Sequence, residues 1–140
     1  MEKIVIIGSS GAGKSTFARA LGSVLDMKVL HLDRLLWQCD WKGRTEYARK
    51  RILKNRTVHG EKQWIIEGNY LRFSEIHVNA ADTIIFLDIL PIVCCWHLLQ
   101  RHWEYYQCSR YDIPEGCTDR LTFQRLIKVL TFWFHGRRII

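Results

Sequence analysis

The feature that most constrains this chain is the junction near its start, where the apolar run Ile4-Val5-Ile6-Ile7 passes directly into "GSSGAGKST", residues 8 to 16. A β-branched run of this kind reads as a buried strand. A turn needs one glycine or two, yet this loop holds glycines at 8, 11 and 13 together with a lysine and several hydroxyls. Gly8, Gly13, Lys14 and Ser15 fit G-x-x-x-x-G-K-[ST], the spacing of a loop that wraps a chain of phosphates. At average residue frequencies these four positions would coincide by chance in roughly half a percent of chains of this length. Phe17, Leu21, Val24 and Leu25 follow at helical spacing, so the loop lies between a strand and a helix. A Gly/Ser-rich turn with an ordinary surface lysine would leave that spacing unexplained.

The physical logic follows from the residue types. Glycines let the backbone approach a ligand closely, so that successive N–H groups turn inward on phosphate oxygens. The helix opening near Lys14 adds unpaired amides and the positive end of its dipole. Gly8, Ser9, Ser10, Gly11, Ala12, Gly13, Lys14, Ser15 and Thr16 are therefore the expected phosphate site, with ATP and Mg²⁺ as the expected ligands. Lys14 is expected to reach the β- and γ-phosphates, and the Ser15 hydroxyl to ligate the metal.

A chain of 140 residues with 48% hydrophobic content suggests one domain spanning residues 1–140, with one core. The longest apolar candidate, residues 84 to 99, is interrupted by Asp88, Pro91 and His97, so no membrane partner is expected. Met1-Glu2-Lys3 leads straight into the strand without a secretory signal, and a cytoplasmic location is expected. The five cysteines are odd in number and form no C-x-x-C pair, which fits reduced thiols. Cys108 and Cys117 with His102 nearby have the wrong spacing for the common zinc patterns.

The formal charge of +7 is unevenly placed. Residues 41 to 62 hold Lys42, Arg44, Arg49, Lys50, Arg51, Lys54, Arg56 and Lys62 against only Glu46 and Glu61. Such a stretch attracts polyanions, including nucleic acid or a phosphorylated substrate. The favoured reading is plainer: the solvated face of a helix packed through Ala48, Ile52 and Leu53.

Along the chain, strands are predicted at 3–8, 28–32, 63–67 and 83–88, and helices near 14–25, 44–58, 91–107 and 119–135. In the third helix Ile92, Trp96, Leu99 and Trp103 form one apolar stripe, and Pro91 suits a first-turn position. In the fourth, Phe123, Leu126, Leu130 and Phe134 form another. Short apolar strands separated by helical segments indicate an α/β fold, a parallel sheet covered on both faces.

In such sheets ligands sit beyond the carboxyl ends of the strands. Asp33, after the second strand, is placed to orient or deprotonate an acceptor hydroxyl, or to hold water on the metal, unless it simply starts the next loop. Glu67, ending the third, falls where a carboxylate can accept hydrogen bonds from metal-bound water. Asn69, Tyr70 and Arg72 would line the acceptor side, and Asp88 is a second-rank candidate. Residues 97 to 120 read as a hinged helical lid. Arg101 and Arg110 are its best candidates for stabilising charge on the transferring phosphoryl group, the alternative being solvated arginines.

The blocks "IIGSSGAGKSTFARAL", "VLHLDRLLW", "WIIEGNY", "ADTIIFLDILP" and "SRYDIPEGC" occur in an order that resembles the bacterial DNA topology modulation protein family. That family is a small P-loop group similar to adenylate and shikimate kinases. The resemblance implies a three-layer, ATP-binding, kinase-like fold with strand order 2-3-1-4-5. It implies phosphate contacts from Gly8, Gly11, Gly13, Lys14, Ser15 and Thr16, an acidic role for Glu67, and lid roles for Arg101 and Arg110. Members continue past the second lid helix into a fifth strand, whose following connection helps hold adenine. This sequence stops at Ile140. The expectation is a sheet of order 2-3-1-4 without its fifth strand, whose exposed edge would permit a homodimer.

Three functions fit the residues. The first is a kinase-like phosphotransferase moving the ATP γ-phosphoryl group to a small-molecule acceptor. The second is an ATPase or nucleotide-dependent regulator working on DNA, and the third a nucleotide-binding protein without turnover. The chain has no N-K-x-D motif for guanine and no adjacent acidic pair ending a strand, which weighs against switch and motor readings.

Overall fold

The structure, a computed structural model, describes residues 1–36, 45, 47–48, 51, 62–68, 78–105 and 121–135. Within them the elements run β1 (Lys3–Gly8), α1 (Lys14–Leu25), β2 (Val29–His31), α2 (Leu32–Leu36), β3 (Trp64–Glu67), β4 (Thr83–Leu87), α3 (Pro91–Glu104) and α4 (Phe123–His135). The four strands form a parallel sheet of order β2-β3-β1-β4.

β1 is central because its apolar run satisfies both faces at once. Ile4 and Ile6 point to one side, where they are buried with Ala18, Met27 and Ile65 beneath α1. Val5 and Ile7 point to the other and are buried with Leu32, Trp64 and Ile66, while Leu35, Ala80 and Ala81 pack around them. This period-2 alternation in a strand apolar throughout places helical cover on both faces of the sheet. The strand order and the glycine loop between β1 and α1 make this an α/β P-loop fold of the kinase-like kind. β1 has β3 on one side and β4 on the other, so its carboxyl end opens at the switch point where such sheets receive ligands.

α3 and α4 form a third cluster, in which Cys94, Leu98 and Val129 are buried against Ala12 of the loop. Here the structure departs from the predicted stripes. Ile92, Trp96, Leu99 and Trp103 are 76%, 65%, 47% and 87% exposed, whereas Cys94 and Leu98 are buried. The reason is close approach. A β-carbon added to Gly11 would stand 2.3 Å from the Cys94 carbonyl oxygen, so the loop seats directly on the backbone at Cys94 beside Leu98, a face with no room for an indole, and the tryptophans turn outward. On α4, among the described side chains, Val129 is buried and Leu126 of the predicted stripe packs against it, while Phe123 and Leu130 are exposed and Phe134 lies outside the described side chains.

Two boundaries also shift. β2 ends at His31, and α2 begins at once because Leu32 and Leu35 dock as helix neighbours on the core, which puts Asp33 in a helix rather than a loop. β4 ends at Leu87, leaving Asp88 just beyond it. β4 is the outer strand of the described sheet, with Ile84 47% exposed. Most of the predicted 44–58 helix and of the basic 41–62 stretch lies outside the described residues.

Candidate functional site

The loop after β1 is built from its own backbone. Gly11 and Gly13 have φ of +84° and +80°, in the left-handed region that side chains avoid. The Ala12 N–H donates to the Ser9 carbonyl at 3.2 Å, closing the turn. Gly13 is the N-cap of α1 and supplies no side-chain cap, so the helix's first amides face the loop cavity. The Lys14 ammonium folds back to donate to the Ser9 carbonyl at 2.8 Å. From the other side, His97 on α3 donates through Nδ1 to the Gly11 carbonyl at 2.9 Å, which fixes the proton on that nitrogen. α3 is thus fastened to the loop by a hydrogen bond as well as by packing.

Opposite Lys14 lies a carboxylate held by the sheet register. Glu67 pairs with Ile6 on β1 and with His31 on β2, at the carboxyl ends of three adjacent strands. Its Oε1 accepts from the Ser15 hydroxyl at 3.0 Å and lies 2.8 Å from His31 Nδ1. Burial by itself would raise the Glu67 pKa. The His31 hydrogen bond and the Lys14 ammonium, with the Ser15 hydroxyl, outweigh it, and the carboxyl sits below its ordinary range. An ionised carboxylate only accepts, so both Ser15 and His31 donate to it.

Lys14 completes the arrangement. Burial pushes its ammonium below the ordinary lysine range, the charges of Glu67 and Asp33 pull it back up, and the Arg101 guanidinium pushes it down again. Asp33 and Arg101, from α2 and α3, thus act on the same cation through their charges. A desolvated lysine beside helix amides and a second cation favours a multiply charged anion.

The expected residues divide accordingly. Gly8 to Thr16 form the loop and the start of α1, Glu67 accepts from Ser15, and the charges of Asp33, Glu67 and Arg101 act on Lys14. Asn69, Tyr70, Arg72 and Arg110, like Cys108 and Cys117, lie outside the described residues. Among the described residues no group of three or more His, Cys, Asp or Glu gathers as a metal cluster. Asp88 lines a small apolar recess with Ser9, Pro91, Val129 and Phe132. Sequence reasoning missed His31 and His97. Only the register of β2 against β3 marks the first, and only the seating of α3 marks the second.

No protein-family model matches the chain. It is 26% identical over 105 residues to the uncharacterized protein YqaC of Bacillus subtilis (strain 168), an alignment covering 75% of this chain and 59% of that protein. The chain thus spans about 59% of that relative's length. Among solved structures, a deoxyadenosine kinase from M.mycoides with bound dATP aligns with a TM-score of 0.43 and 13% identity. That alignment covers 99% of this chain and 86% of the kinase chain. The fold assignment stands instead on the strand order and the loop.

Proposed function

We propose that the chain binds ATP with Mg²⁺ at the β1–α1 loop and transfers the γ-phosphoryl group to a small-molecule acceptor. The observation that carries this reading is the meeting of the glycine loop and its inward Lys14 with a Ser15–Glu67 hydrogen bond at the carboxyl end of β3. Backbone amides of residues 8 to 16 cradle the phosphates, and Lys14 exchanges the Ser9 carbonyl for phosphate oxygens.

Ser15 and Glu67 fit a hard divalent cation. The hydroxyl gives its one proton to Glu67 and keeps its lone pairs, and the donors are all oxygen. Mg²⁺ typically takes few protein ligands and completes its shell with water and phosphate oxygens, so a dedicated protein cluster is not required. When bound, it neutralises charge on the phosphoryl oxygens.

Asp33 orients or deprotonates the acceptor hydroxyl, while Arg101 and Arg110 stabilise the charge that develops on the transferring group. Asn69, Tyr70 and Arg72 are proposed for the acceptor side from their place in the sequence, directly after β3. The ordered motif blocks support placing the chain with the bacterial DNA topology modulation proteins.

The test is a screen of ADP release from ATP against nucleosides, nucleotides, sugars and small acids, with DNA in parallel. Acceptor-dependent release supports the kinase reading. DNA-stimulated release would replace it with the ATPase reading, and binding without release would leave a nucleotide-binding protein. Lys14→Ala is expected to weaken ATP binding by about ten- to a hundredfold, the worth of a hydrogen bond to a charged group, while the fold persists. Unchanged affinity in that variant refutes the assignment.

A further inference from the structure

We propose that His31 is a positioning residue for the divalent-cation side of this site. Its Nδ1–H holds Glu67 Oε1 where that oxygen receives the Ser15 proton, so that Ser15 presents its lone pairs to the cation. This rests on the phosphate-site reading above.

Three observations carry it. His31 closes β2 directly beside Glu67 in the parallel register, so the pairing is set by the sheet and not by a mobile loop. The contact is short and shielded, 2.8 Å between side chains that are 13% and 5% exposed. Ser15 and His31 also meet the same oxygen, Oε1, so the imidazole decides where that oxygen sits and therefore which way the hydroxyl proton points.

A serine hydroxyl has one proton and two lone pairs. While Glu67 Oε1 stays in place the proton is committed to it and the lone pairs remain for a cation. A carboxylate that rotates away releases the hydroxyl to turn its proton toward the cation instead. Groups that orient the partners of metal ligands in this way are commonly worth ten- to a hundredfold in metal affinity. Lys14 also favours the ionised carboxylate, but its effect is one of charge, whereas His31 supplies a directed bond.

The experiment uses the full chain saturated with ADP and titrated with Mn²⁺, free Mn²⁺ being read by electron paramagnetic resonance. Metal-free ADP affinity is measured by calorimetry in EDTA. His31→Phe keeps a ring in the pocket without a donor, and is expected to weaken Mn²⁺ binding by about tenfold while changing metal-free ADP affinity by less than about twofold. His31→Asn, whose amide nitrogen takes the Nδ1 place, is expected to recover most of that loss. Should His31→Phe fail to fold, His31→Leu serves as the variant without a donor. The proposal is overturned if the variant lacking the donor binds Mn²⁺ like the parent, if it loses metal-free ADP in the same proportion, or if Asn does no better than Phe. A parent protein that does not bind ADP in EDTA refutes the phosphate-site reading itself, and is distinguishable because it fails before any His31 variant is compared.

Discussion

Gly11 and Gly13 offer a controlled comparison within one loop. Both have nearly the same left-handed φ, +84° and +80°, so alanine at either meets a similar backbone cost, about 1–2 kcal/mol. Their surroundings differ. A β-carbon on Gly13 meets nothing within 4 Å, whereas one on Gly11 would lie 2.3 Å from the Cys94 carbonyl oxygen, 3.0 Å from its carbon and 3.1 Å from Leu98 Cγ. Two of those three atoms are α3 backbone, which cannot swing aside as a side-chain tip can. The helix must retreat by about 1 Å to restore ordinary contact distances. Overpacking of this kind costs about 1–3 kcal/mol. Gly13→Ala is therefore expected to lose about 1–2 kcal/mol and Gly11→Ala about 2–5 kcal/mol. Urea unfolding of both variants beside the parent measures the difference, with unchanged m-values confirming that the unfolded reference is shared. The retreat of α3 also pulls His97 from the Gly11 carbonyl and carries Arg101 with it, so ADP affinity is expected to fall further in Gly11→Ala than in Gly13→Ala. If the two variants are equally stable within about 0.5 kcal/mol, α3 is not seated on the loop and the account of the outward tryptophans fails with it.

Three further expectations concern the N-terminal segment and the helix layer. Asp82 accepts from the Thr83 hydroxyl and from the Glu2 and Lys3 amides, which lowers its pKa from 3.8 to about 2. Because the folded value lies below the unfolded one, this stabilisation is fully present above pH 3.8 and is lost as pH falls through about 2. The gap in urea midpoint between the parent and Asp82→Asn should therefore be constant near neutrality and shrink in acid; a gap that widens in acid contradicts the assignment. In the helix layer, Leu98→Ala is expected to cost about 2–5 kcal/mol, since Leu98 is buried against Ala12 and Val129. Trp103→Ser removes a larger side chain that is 87% exposed and should stay within about 0.5 kcal/mol in the same unfolding assay, and a larger loss would place Trp103 in a buried contact.

The glycine loop between β1 and α1 was legible because its geometry is local. Glycine freedom, an inward lysine and a helix start all act within residues 8 to 16, and the apolar run of β1 announces a strand buried on both faces. Glu67 was legible in the same way, as a carboxylate ending an apolar strand. The faces of α3 and α4 were not. Both helices carry apolar residues on more than one side, and hydrophobic spacing cannot say which side is buried when the deciding contact is with a loop some 80 residues earlier.

What the sequence by itself determined, then, is the loop, the strands and the carboxylate at a strand end, because each follows from interactions between near neighbours in the chain. Tertiary structure alone decided that His31 meets Glu67, that His97 meets the Gly11 carbonyl, and that the Cys94 backbone and Leu98 rather than a tryptophan face Gly11. Those outcomes depend on strand register and on the closest approach of two backbones, quantities that distant parts of the chain fix jointly and that no local window contains.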